Sequence, residues 1–435
     1  MTLPAFKTMT LIKTSLLNGI AVVIKMLTLL GLNKILAIYV GPAGYAALGQ
    51  FQNAVQIIST FASGALKTGV TKYTAEYNED EQSQHKVWRT AGTLAVIGSI
   101  TTAILVSTFN KPLAAWFLND DSLGSVFIWF SATLLLFVFN TLLLAILNGK
   151  KEIHRYVLAN IAGSVFSLMV TGIMVIEFGL YGALVALAIH QSLAFFVTIS
   201  LAYKTPWFRF RYLFGELDRQ TAKNLLKYTA MALSSAACIP VSHILIRNYL
   251  GENLGWASAG QWEAMWRLSA AYLMLVTTTL SVYYLPRLSE LKKTSDIRRE
   301  IIQGYKIILP LAIVCGFAIY LLRDFIIRLL FSVEFLPMES LFAWQLVGDT
   351  LKIGGWILAY LMLSKAMIQL FITSEVVFSA SFYGLTIVFT NRFGLEGVSM
   401  AHSVNYFLYW IVMGVMVWMT LQKTDNENKE IASQH

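Results

Sequence analysis

Charge is the scarcest property of this sequence. Asp, Glu, Lys and Arg make up 13% of its 435 residues, against 57% hydrophobic. A water-soluble domain carries about a quarter charged residues. The shortage is also local: 180–202 and 397–421 pass without a single Asp, Glu, Lys or Arg. Such runs suit a hydrocarbon core about 30 Å thick. Long connections are missing too, none exceeding about 25 residues, so no soluble domain is expected. There is no nucleotide-binding P-loop, which excludes an ATP-driven pump within this chain. Cysteine is rare, and Cys238 and Cys315 both fall in apolar runs. They read as buried packing residues, not a disulfide or a metal pair. No small-residue cleavage site follows the first apolar run, so the first helix is expected to be kept.

What remains is an all-α membrane protein. Apolar runs predict about twelve spans: 14–36, 43–66, 89–109, 125–147, 157–177, 180–202, 228–247, 260–285, 303–322, 343–364, 367–389 and 397–421. Two short amphipathic pieces, 111–118 and 323–331, are expected in the membrane interface. An even number of spans puts both termini on one side. That side collects about 24 of the 33 basic residues, and the other side about six, Arg247 among them. Such a bias in short loops marks the cytoplasmic face. The formal charge of +9 thus reflects orientation and contact with anionic membrane lipid, and argues against nucleic acid as a partner.

The two halves of the chain echo each other. Ile35-Leu-Ala-Ile-Tyr-Val-Gly41 followed by Gly49-Gln-Phe51 is matched by Ile244-Leu-Ile-Arg-Asn-Tyr-Leu-Gly251 followed by Gly260-Gln-Trp262. The segment 111–118 pairs with 323–330, and Phe178-Gly-Leu-Tyr-Gly182 returns as Phe393-Gly-Leu-Glu-Gly397. The offsets stay between about 210 and 215 residues. The domains read as an N-terminal lobe, 1–215, a C-terminal lobe, 216–422, and a cytoplasmic tail, 423–435. Six helices per repeat give the lobes like orientation, and such repeats commonly rock to give alternating access.

Several motifs carry a specific resemblance: Gly69-Val-Thr-Lys-Tyr73, Tyr284-Leu-Pro-Arg-Leu288, Leu322-Arg-Asp-Phe325 and Phe342-Ala-Trp-Gln-Leu-Val-Gly-Asp-Thr-Leu-Lys352. With nearly the whole chain, they resemble the polysaccharide-transport flippases of the multidrug/oligosaccharidyl-lipid/polysaccharide exporter superfamily, and are similar to O-antigen translocases and common-antigen lipid flippases. The resemblance implies an undecaprenyl-diphosphate-linked glycan as substrate, either an O-antigen unit or enterobacterial common antigen lipid III. It also implies the bacterial inner membrane, a cationic cavity between two lobes, a working monomer and, as further partners, O-antigen or common-antigen polymerisation proteins. No cofactor and no metal are expected.

Polar residues inside the spans supply the candidate substrate site. A charge at mid-bilayer costs about 2.5–3.5 kcal/mol on insertion scales, so one that is kept there invites a functional reading. Lys25 falls mid-span in helix 1, on one stripe with Thr14 and Asn18. It is expected to meet the diphosphate, whereas Lys34 lies nearer the outer end and suits snorkelling. In helix 2, Asn53, Gln56 and Thr60 share a face fit for sugar hydroxyls or for bonds between helices. Glu263 and Arg267 stand at i, i+4 in helix 8 and can pair. Arg267, matched to Gln56 in the repeat, offers a guanidinium that grips phosphate bidentately.

Helix 10 lines up Gln345, Asp349 and Lys352 on one face, read as an ion pair or as a coupling site with Asp349 protonatable. Glu375 in helix 11 is ambiguous in the same way. His190 and His402 stand alone in apolar runs and read as packed, hydrogen-bonded residues. No catalytic constellation stands out, and the short outer connections argue against a glycosyltransferase or polymerase. The alternative is an ion-coupled multidrug exporter of the same superfamily. That reading expects an anionic cavity, whereas Lys25 and Arg267 are cationic.

Overall fold

Glycine decides where the long helical runs break. In the computed structural model, which describes residues 5–64, 66–291, 293–365 and 367–433, α1 (Ala5–Ser63) consists of two rods. They meet at Gly41, with φ 67° and ψ 179°. Such backbone is open to glycine, and Pro42 then starts the second rod, where its missing N–H is no loss. There follow α2 (Lys67–Glu76), α3 (Glu81–Thr108), α4 (Asn110–Leu118), α5 (Gly124–Gly149) and α6 (Ile153–Tyr203). The last is again two rods, broken at Gly179 with φ 56° and ψ −134°.

The second half runs through α7 (Arg219–Leu254), α8 (Trp256–Thr279), a π-turn (Leu280–Tyr284), α9 (Leu285–Glu290), α10 (Thr294–Leu321) and α11 (Arg323–Leu330). A 3-10 segment (Val333–Leu341), α12 (Phe342–Ser364), α13 (Ile368–Phe393) and α14 (Glu396–Ser433) complete it. The chain divides into two compact units, Met1–Pro240 and Val241–His435, with the boundary inside α7. The core of the first gathers Trp88, Phe139, Ile146, Phe208 and Leu213. The core of the second gathers Tyr284, Ile357, Met362, Tyr409 and Met413.

Among the described residues, eight helices are long and apolar enough to cross a bilayer, so this is a multi-pass membrane protein. The runs expected to span lie in helical structure to within a residue at their ends, except 43–66, whose helix α1 already ends at Ser63. Gln261, Glu263 and Arg267 interrupt the apolar run of α8. α10 leaves Ile307, Leu311, Val314 and Phe317 exposed, the surface a helix offers to acyl chains. Cys315 on that helix is exposed and Cys238 is half-buried, so neither is the buried packing residue the sequence suggested.

The internal repeat is visible in the backbone. Gly179 (φ 56°, ψ −134°) has its counterpart in Gly394 (φ 60°, ψ −142°). Phe109 before α4 (φ −98°, ψ 24°) matches Leu322 before α11 (φ −94°, ψ 6°). Gly41 matches Gly255 (φ 87°, ψ 151°). The paired positions lie about 214 residues apart. This last pair corrects the register. The sequence match set Gly251 opposite Gly41, but α7 continues past Gly251, which packs against the ring of Trp256, and turns at Gly255. Counted from the turn glycines, Arg267 corresponds to Asn53 and not to Gln56.

Candidate functional site

In the first unit, the turn at Gly41 sets the depth of every polar group on α1. At 1.5 Å per residue, Lys25 lies about 24 Å along the helix from that turn, beyond the middle of a core about 30 Å thick. Lys25 as a residue is exposed, and its ammonium feels the charge of Lys67 at the start of α2. Lys25 therefore stands closer to the α2 end than the mid-span position read from the sequence. Lys34, about 10 Å from the turn by the same count, is half-buried. The side chains of Thr14 and Asn18 lie outside the described residues.

On the second rod of α1, the Asn53 amide donates to the Pro240 carbonyl at 3.3 Å, a bond that ties α1 to the first half of α7. Gln56 is exposed, and its side chain has no partner among the described residues. Its carbonyl accepts from Thr60 at 2.7 Å. Asn53 and Gln56 thus part company: one is engaged in helix packing, the other reaches out.

In the second unit, the turn at Gly255 brings α7 and α8 together as a hairpin. Arg247 and Glu263 lie equally far before and after it, so they meet at one depth. The Arg247 guanidinium donates to Glu263 Oε2 at 2.8 Å with 1% of its side chain exposed. Arg267 Nε donates to Glu263 Oε1 at 2.7 Å and keeps 16% exposure. One carboxylate therefore serves two guanidiniums, and the three side chains together carry one net positive charge. Arg247 was expected in an outer connection. It is instead a buried partner of Glu263, because α7 runs on to Leu254.

Asp349 on α12 is the second polar centre. It accepts from Ser269 Oγ at 2.7 Å and from the Tyr272 hydroxyl, both on α8. His402 Nε2 on α14 lies 3.0 Å from Asp349 Oδ1, and the Gln345 amide donates to the same oxygen at 3.4 Å. His402 is hydrogen-bonded as expected but does not stand alone. His190 meets the Ala186 carbonyl at 3.1 Å.

The direct Asp349–Lys352 ion pair does not form, because the Lys352 ammonium turns onto aromatic rings. It sits 4.4 Å from the Trp266 centroid, 4.9 Å from Tyr406 and 5.1 Å from Trp356. Ring faces attract a cation electrostatically, most strongly where water is absent. Lys352 also feels the charges of Asp349 and Glu375. The rings of His243 and Trp266 stand edge-on, their centroids 4.2 Å apart.

Reading the sequence missed Arg247, Ser269, Tyr272 and Trp266 as parts of these centres. Arg247 could have been found by counting equal distances from a turn at Gly255. Nothing in the sequence signals that Tyr272 and His402 converge on one carboxylate.

Residues 11–292 match the family described as polysaccharide biosynthesis protein. The lipid III flippases of Escherichia coli (strain K12) and Shigella flexneri are each 32% identical to this chain over 407 residues, 92% of this chain and 97% of theirs. Among solved structures, an inward-facing multidrug resistance MATE family transporter of the MOP superfamily has a TM-score of 0.76 at 16% identity, covering 92% of this chain and 96% of that one. At such identity the likeness shows the fold alone.

Proposed function

This chain belongs to the polysaccharide biosynthesis protein family, and from that membership we propose that it flips an undecaprenyl-diphosphate-linked oligosaccharide from the cytoplasmic to the periplasmic leaflet by alternating access. The observation that carries this reading is the 32% identity to lipid III flippases across 92% of the chain. The cargo is enterobacterial common antigen lipid III or an O-antigen unit. Phosphates and sugars cannot cross hydrocarbon without polar partners, whereas a prenyl tail can stay in lipid.

The finer reading is a twelve-span protein of the bacterial inner membrane with both termini cytoplasmic. Two six-helix lobes, 1–215 and 216–422, work as a monomer, and 423–435 forms a tail. Lys25, on the α2 side of mid-span, takes the diphosphate on entry. Arg267, the less buried member of a triad with net positive charge, takes it later. Gln56, with Asn53, Asn18 and Lys34, lines the path of the sugars. Asp349, Lys352, Glu263 and Glu375 form the charge networks whose rearrangement couples the cycle. The protein catalyses no covalent chemistry, and it hands its cargo to common-antigen or O-antigen polymerisation proteins.

The test is complementation. Expressed in a strain lacking the lipid III flippase, this chain restores surface common antigen; in a strain lacking an O-antigen translocase, it reveals whether that cargo is also accepted. Restoration of neither, together with efflux of cationic dyes from loaded vesicles, would favour a multidrug exporter instead.

A further inference from the structure

The connection after α6 does more than join two helices. Residues 204–218 are strapped to the end of the first unit where α5 stops and α6 both begins and ends. The connection's own Thr205, Phe208 and Leu213 are buried. Tyr212 stacks on His85 with centroids 3.8 Å apart, and Trp207 Nε1 donates to Glu152 at 3.2 Å. Thr93 Oγ1 donates to the Gly215 carbonyl at 2.9 Å, and the Asp218 N–H donates to Thr90 Oγ1 at 3.2 Å. A Cβ on Gly92 would fall onto the Leu213 carbonyl oxygen, so the strap and α3 meet backbone to backbone.

What this rigid strap presents outward is specific in kind. Arg209 and Arg211 are exposed, and neither has an ion pair among the described residues. Between and beside them stand Phe210 and Phe214, 46% and 39% exposed, with ring centroids 5.1 Å apart. Both rings also lean on Phe139 of α5, so they sit against a membrane-spanning helix and not out in water. Around His85 on the same end stand Glu81 and three cations, Arg89, Lys150 and Arg211. Of the two carboxylates on the connection, Asp218 caps α7, accepting from the N–H and hydroxyl of Thr221 at 2.8 and 2.6 Å, while Glu216 is exposed. Aromatic rings at the end of a span, flanked by unneutralised guanidiniums, match the chemistry of a bilayer surface: apolar below, phosphate above.

We propose that Arg209 and Arg211, interleaved with Phe210 and Phe214, form a binding site for the phosphate of an anionic phospholipid of the surrounding leaflet. The rings enter the acyl boundary while the two guanidiniums grip the headgroup, so the site anchors one end of the first unit at a fixed depth. The site requires a chain that spans a bilayer. It does not depend on which glycan is carried, or on transport at all.

The test is native mass spectrometry of the purified full-length protein with dioleoyl phosphatidylglycerol or dioleoyl phosphatidylcholine as probe. Each surface cation is worth about fivefold in affinity, so R209A/R211A is expected to lose phosphatidylglycerol binding roughly 30-fold. Phosphatidylcholine binding stays unchanged, and R209K/R211K keeps most of the affinity. Equal phosphatidylglycerol retention by wild type and R209A/R211A overturns the site. So does preferential occupancy by undecaprenyl phosphate at equal concentration, which would make this a cargo site. Should R209A/R211A not fold, the wild type decides: release of phosphatidylglycerol between 0.1 and 1 M salt is expected at about these ionic strengths, and retention counts against the proposal.

Discussion

Glu263 meets two guanidiniums and can neutralise only one, so the roles of the two arginines should separate on mutation. Arg267→Ala leaves the Arg247–Glu263 pair at 2.8 Å intact. Its melting temperature in detergent should stay close to wild type while surface glycan display is lost. Glu263→Gln instead removes the carboxylate against which Arg247 is buried and should destabilise by about 3–5 kcal/mol, measured by thermal unfolding. A large loss of stability in Arg267→Ala would mean that this side chain is structural. Lys25→Ala should likewise abolish display, and Lys25→Arg should retain more of it, since a positive charge is what that position supplies. Lys352 poses the opposite case: a buried cation held by rings at 4.4–5.1 Å with no direct ion pair among the described residues. A buried ammonium carries a desolvation cost that an apolar side chain of similar volume does not. Lys352→Met should therefore hold or raise the melting temperature and slow transport. A drop of several kcal/mol would show that the ring contacts outweigh desolvation.

At the scale of elements, the glycine breaks distribute strain unevenly. Gly394 has open space where a Cβ would go, so only its backbone angles, φ 60° and ψ −142°, resist substitution. Gly394→Ala should destabilise by about 1–3 kcal/mol, typical of sparsely populated backbone regions. Gly397 is helical, but a Cβ there meets the backbone of Phe389 and Thr390, so α13 and α14 approach closely at this point. Gly397→Ala should be the more severe of the two, pushing the helices apart and lowering both expression and melting temperature. The reverse order would mean that the turn's backbone angles matter more than the close approach. The Phe-Gly-Leu-x-Gly repeat was legible because both requirements are local, one glycine for the turn and one for the crossing. The hairpin at Gly255 was misplaced by four residues because Gly251 satisfied the same sequence pattern while serving a different need, contact with Trp256.

For the whole molecule, the distribution of basic residues predicts a cytoplasmic C-terminus. A green fluorescent protein fused there should fluoresce, and alkaline phosphatase fused at the same point should stay inactive. Active phosphatase would invert the topology. The amino-acid sequence by itself determined the membrane class, the positions of the helices and the existence of two like halves. Hydrocarbon thickness sets helix length, and every backbone group must be satisfied within its own segment, so these features follow from local composition. Only the tertiary structure decided which polar groups meet. Arg247 with Glu263, and Tyr272 and His402 with Asp349, are pairings across helices. They depend on the depth and rotation of each rod, which a shift of one residue changes by about 1.5 Å and 100°.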